Sequence, residues 1–101
     1  MNDDVERLLS SMSGVRQTSA TGRSEWRYHG RLVARQLDDE HLVIRAEFGA
    51  RDSLVRQHPE TFSVPSRFEK HMMIVADAVK GNAAAIEDAL VAALALQRRA
   101  D

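Results

Sequence analysis

The residues of this chain best suited to chemistry are its arginines, and the densest group falls within residues 16–35. Arg16, Arg23, Arg27, Arg31 and Arg35 stand there against one acid, Glu25, a local net charge of +4. Trp26 and Tyr28 lie among them. A guanidinium binds phosphate through a planar fork and an aromatic ring stacks on a base, so the interleaving is the pattern of a nucleic-acid contact surface. Arg27, Arg31, Arg35 and Arg45, with Trp26 and Tyr28, are therefore the candidate nucleic-acid-binding residues, and DNA is the candidate partner. Composition weighs against over-reading the pattern: twelve of the fourteen basic residues are arginine, so arginine use is general to the chain.

Other chemistry finds less support. The chain has no cysteine, which excludes disulfides, thiolate metal sites and a cysteine nucleophile. Its four histidines are widely separated, none at a helical metal-ligand spacing, and no nucleophile–base pair can be recognised. Gly14 and Gly22 open no phosphate loop, because the Gly-Lys-Ser/Thr ending is absent. Asp3, Asp4 and Glu6 at a helix start, and the adjacent Asp38, Asp39 and Glu40 in a turn, are simpler as solvated carboxylates than as cation sites. No catalytic residue, metal or cofactor is expected. The net charge of -1 gives the whole molecule no strong field for polyanions. No apolar run approaches the roughly 20 residues of a membrane span, and the start MNDDVERLL lacks a basic and then apolar signal. The expectation is a single cytoplasmic domain over residues 1–101.

The elements that must position these residues follow from periodicity. Val5, Leu8, Leu9 and Met12 make one stripe of an amphipathic helix that Gly14 terminates. Residues 15–24 are polar and read as a short edge strand or an ordered loop. Residues 31–48 alternate in two runs around the acidic turn, with Leu42, Ile44, Ala46 and Phe48 on one side. A three-residue turn at Asp38, Asp39 and Glu40 sets Gln36 opposite Leu42 and Ala34 opposite Ile44, and places Arg31 beside Glu47. A shorter turn would bury Arg35 beside Ile44 at a prohibitive desolvation cost.

The turn at His29-Gly30 has two solutions. A two-residue loop pairs Tyr28 with Arg31 and Trp26 with Val33; a three-residue loop pairs Trp26 with Ala34. One residue of slip exchanges the faces. Under the shorter loop, Trp26, Tyr28, Arg31, Val33, Arg35, Val43 and Arg45 share the face away from the helices.

Further on, a short helix covers residues 50–57, with Leu54 and Val55 inward, and ends before Pro59. Residues 72–79 suit a strand covered on both faces, with Ile74 and Ala76 on one side and Val75 and Asp77 on the other. Asn82 caps the last helix, whose stripe is Ile86, Ala89, Leu90, Ala93, Leu94 and Gln97, widened by Val91 and Leu96. The fold class is α+β: an antiparallel sheet with the N- and C-terminal helices packed on one face.

The segments EWRYHGRLVARQL, HLVIRAEF, HPETFSVPSRF and MMIVADAV, followed by an amphipathic C-terminal helix, resemble the MmcQ/YjbR family of small bacterial proteins. The likeness spans nearly the whole chain. It rests most on Gly30-Arg31 followed by Val33 and Ala34, and on Pro59-Glu60-Thr61-Phe62 leading to Val64-Pro65. The resemblance implies a frataxin-like (CyaY-like) double-wing architecture and a DNA-binding label, and it carries no catalytic residues. The competing expectation is a protein-interaction module, most simply a homodimer through the open sheet face, using Val33, Leu37, Val43, Met73 and Val75 as an apolar patch.

Overall fold

A computed structural model describes residues 3–100 of the chain. Three helices and six strands follow in the order α1 (Asp3–Ser11), β1 (Val15–Ala20), β2 (Arg23–Tyr28), β3 (Arg31–Gln36), β4 (His41–Arg45), α2 (Phe48–Gln57), β5 (Phe62–Ser63), β6 (Met73–Asp77) and α3 (Ala83–Arg99), with one 3₁₀ turn at Ser66–Phe68. The strands form one antiparallel sheet in the order β1-β2-β3-β4-β6-β5. The α+β class expected from the order of elements is the one observed.

Two tight hairpins build the first half. Thr21 and Gly22 have φ of 51° and 78°, and His29 and Gly30 have φ of 49° and 81°. Positive φ at both central residues is the type I′ signature, which matches the twist of the flanking strands. The polar segment after Gly14 is therefore a full edge strand rather than a loop. At the second hairpin both sequence solutions are half right. Tyr28 pairs with Arg31, as a two-residue loop requires, yet Trp26 pairs with Ala34, because a bulge between Trp26 and Arg27 leaves Val33 as an extra residue. That residue returns Trp26 to the face of Ala34.

The acidic turn has the expected register, with Ala34 opposite Ile44 and Gln36 opposite Leu42. Asp38 enforces it: its Oδ1 accepts from the backbone N–H of Glu40 at 2.8 Å and of His41 at 2.9 Å. A short side chain that bonds its own following amides is how Asp sets a turn.

Beyond Arg45 the chain departs from expectation. Ala46 N–H still donates to Met72 O, but the helix begins at Phe48, three residues before Arg51, whose N–H donates to Glu47 O. Phe48 therefore stands 44% exposed on the first turn of α2 instead of ending a strand inward. Arg31 does not meet Glu47. Its guanidinium donates to Gln97 O in α3 at 3.2 and 3.0 Å, and Glu47 accepts from Arg99.

The main core lies between the sheet and the helices α1 and α3. It joins Val5 and Leu9 of α1, Trp26, Val33, Ala34, Leu42, Ile44, Ile74 and Ala76 of the sheet, and the whole predicted stripe of α3. Asn82 Oδ1 accepts from Ala85 N–H at 3.1 Å, the expected N-cap bond. The alanines at 89 and 93 let α3 lie close on β3 and β4. Val91, expected to widen the stripe, is 56% exposed.

Candidate nucleic-acid interface

The face of the sheet away from α1 and α3 is built by parity. On β1 it takes Arg16 and Thr18, on β2 Arg23, Glu25 and Arg27, on β3 Arg35, and on β4 Val43 and Arg45. The registers set Arg16 directly opposite Arg27, Glu25 opposite Arg35, and Arg45 opposite Met73. Arg16, Arg27 and Arg45 thus fall toward one end of the sheet, where β1, β3 and β6 begin and β2 and β4 finish.

The charges on this face are unevenly compensated. Arg27 donates to Glu25 Oε1 at 3.1 Å and to Gly30 O at 2.9 Å, and Arg23 pairs with Asp39 at 2.8 Å. Arg16 and Arg45 have no ion-pair or hydrogen-bond partner among the described residues. The Arg35 guanidinium sits 5.8 Å from the centre of the Phe68 ring, and that of Arg67 sits 4.8 Å from it. The five arginines therefore share this face with Glu25 and Asp39, and with Asp77 on the Val75 side of β6, whose carboxylate accepts from the amides of Val79 and Lys80. A molecule with a net charge of -1 carries a locally positive face.

The lower half of the face is covered. Phe68 packs on Val43 and Val75, with Leu37, Val64 and Met73 around them. Arg51 holds this cover in place. It is a buried arginine on α2, and its Nη1 donates to the carbonyls of Phe68 at 3.4 Å, Glu69 at 3.0 Å and His71 at 2.9 Å. Capping three carbonyls of an irregular segment with one cation satisfies groups that would otherwise be costly to bury. The apolar patch expected for a homodimer is therefore not on offer. Val43 and Val75 lie under Phe68, and Val33 points into the main core.

Of the six candidate residues, three stand on this face and three do not. Arg27, Arg35 and Arg45 are there. Trp26 has no exposed surface and lies in the helix-side core. Its indole N–H is buried and finds no acceptor among the described residues. Tyr28 lies half-buried on the same side, so close to the chain that a Cβ on Gly14 would meet its ring at 2.7 Å. The guanidiniums of Arg31 and Arg98 lie 5.8 and 5.7 Å from the Tyr28 ring centre, and His29 stacks on it at 4.0 Å. Trp26, Tyr28 and Arg31 thus clamp α3 to the sheet, and the bulge is the reason. Arg16 and Arg23 replace them on the open face. A signal for both existed: Thr21-Gly22 as a two-residue loop pairs Ala20 with Arg23 and therefore Arg16 with Arg27.

Acidic groups elsewhere serve the backbone. The amide of Glu40, then the His41 ring, hold the Asp38 carboxyl below its usual range. The amides of Lys80 and Val79 do the same for Asp77, against some desolvation, with the charge of His41 adding to the effect. His41 stands across from Asp77 and 2.9 Å from Asp38, at the edge of a small hollow of about 160 Å³ that also takes in Glu60 and Thr61. Among the described residues no group of three or more His, Asp or Glu side chains is placed to hold a metal ion. No described helix is long and apolar enough to cross a membrane.

Compared with known proteins, the chain matches no family model, no curated protein and no solved structure.

Proposed function

We propose that this protein binds nucleic acid in the cytoplasm through the arginine face of β1 to β4, by contacts to phosphate. The observation that carries the reading is the placement of Arg16 opposite Arg27, with Arg45 at the same end of the sheet. Like charges directly opposed across two strands destabilise a sheet. A polyanion laid across the strands reverses the sign of that cost. The withdrawal of Trp26 and Tyr28 into the core removes base stacking from this face and leaves a phosphate-contacting surface, which positions a nucleic acid without reading its sequence. The resemblance to the MmcQ/YjbR family, with its DNA-binding label, points the same way and is part of the proposal.

The test is a salt titration of binding to duplex and single-stranded DNA. Binding should weaken linearly in log–log form, with a slope of about -0.9 per phosphate neutralised on duplex and about -0.7 on single strands. Arg16→Ala and Arg45→Ala should each reduce that slope by about one contact's worth, uniformly across sequences. Neither side chain has an ion-pair or hydrogen-bond partner among the described residues, so neither change should unfold the protein. No binding at low ionic strength, or binding indifferent to salt, would overturn the reading. A second reading, contact with another protein by strand addition, is supported by the exposed edge of β1, where five of six residues are exposed.

A further inference from the structure

One aromatic side chain is left at the surface once Trp26, Phe62 and Phe68 are buried and Tyr28 is clamped under α3. It is Phe48, 44% exposed at the start of α2. It lines a depression of about 500 Å³ at the end of the sheet, together with Arg45, Lys70, His71, Met72 and Leu96. Among the described residues that line it there is no carboxylate side chain. Arg45, Lys70 and the His71 ring have no ion-pair or hydrogen-bond partner among the described residues. The Arg51 guanidinium lies 5.0 Å from the Phe48 ring centre and backs it. Arg51 is itself pinned to three carbonyls, so the aromatic stands on a rigid support.

From this we infer that the depression takes an unstacked base of a single strand, with the base on Phe48 and the adjoining phosphates on Arg45 and Lys70. The inference rests on the arginine-face reading, because Arg45 belongs both to that face and to the depression. It adds the class of nucleic acid. An exposed ring beside uncompensated cations is the combination that single-strand sites use, since every base offers a π-face and the backbone runs beside it. A duplex keeps its bases stacked inside and presents only its phosphates, so it would engage the arginines without Phe48. The sheet face then acts as the electrostatic track, and Phe48 as the point that discriminates between strands.

The experiment compares a short oligothymidine with a blunt duplex of equal length, against wild-type protein, Phe48→Ala and Phe48→Trp. Phe48→Ala should weaken single-strand binding roughly tenfold while leaving the salt slope and the duplex affinity unchanged. Phe48→Trp should keep the affinity and report the strand by a change of its own fluorescence, because Trp26 is shielded in the core. Equal affinity for both nucleic acids, with Phe48→Ala silent, would overturn the inference and leave the arginine face standing. Binding of neither at low salt would overturn the arginine face, and this inference with it. Phe48 is at the surface, so retained thermal stability of both variants serves as the folding control.

Discussion

At the scale of single residues, this chain uses its charged side chains mostly to hold backbone. Asp38 accepts from two amides of the β3–β4 turn, and Asp77 accepts from the amides of Val79 and Lys80 after β6. Both carboxyls are held below their usual range by these bonds. A carboxyl whose folded pKa is depressed contributes stability above its unfolded value, about 3.9, and loses it as pH falls through the folded value. Thermal melting followed from neutral pH downward should show this contribution being lost only below about pH 5. Asp38→Ala and Asp77→Ala should each be less stable at neutral pH and lose less on acidification. A wild-type melting temperature that falls chiefly between neutrality and pH 5 would contradict this account. Trp26 shows the opposite economy at the same scale. Its ring fills the core while its indole N–H goes without a partner among the described residues. Burying such a donor costs about 1–3 kcal/mol, and the area buried by the ring outweighs that cost at roughly 25 cal/mol per Å².

At the scale of elements, the least regular segment depends on one side chain. Residues 64–72 contain only a single 3₁₀ turn, yet they carry Phe68 over Val43 and Val75. Arg51 of α2 supplies the bonds that shape this segment. Arg51→Met keeps an unbranched apolar stem and removes the donors, leaving the carbonyls of Glu69 and His71 without this cation. The expected loss is about 2–3 kcal/mol in a denaturant titration. Hydrogen exchange should rise first in residues 66–73, while α3 and the main core stay protected. Uniform loss of protection across the chain would mean that Arg51 matters only to global stability. The same change should also disturb Phe48, since Arg51 backs its ring. Element and candidate site are coupled through one guanidinium.

At the scale of the whole molecule, the two ends of the sheet differ. One ends in β5, a strand of two residues, which offers little to pair with. The other ends in β1, six residues long, with no proline and no bulge in its pairing to β2. Such an edge is a template for another strand. Because the β1–β2 hairpin closes on Ala20 and Arg23, the backbone groups of Val15, Gln17 and Ser19 point outward. If strand addition operates, sedimentation at rising concentration should show association that Gln17→Pro abolishes, since proline removes an outward amide. A strict monomer at high concentration would discount self-association at this edge. The net charge hides a further asymmetry. Five arginines gather on one face while many of the acids sit elsewhere, so a pI near 6.4 is compatible with a basic surface.

Much of this protein is determined by local pattern. The stripe of α3, the Asn82 cap, the parity of β6 and the register of the acidic turn can all be read from spacing. Each follows from a periodicity of two or 3.6 residues, or from one side chain bonding its neighbours. The arginine-rich character of residues 16–35 is equally plain, but its division between two faces is not. One unpaired residue at Val33 sends Trp26, Tyr28 and Arg31 to the helices and leaves Arg16, Arg23, Arg27 and Arg35 outside. A bulge costs little locally and is selected by what it allows to pack, here a tryptophan under α3 some 60 residues away in sequence. Phe48 and Arg51 were hidden for the same reason. Whether a residue ends a strand or begins a helix, and which carbonyls a buried guanidinium reaches, depends on partners that only the tertiary structure brings together.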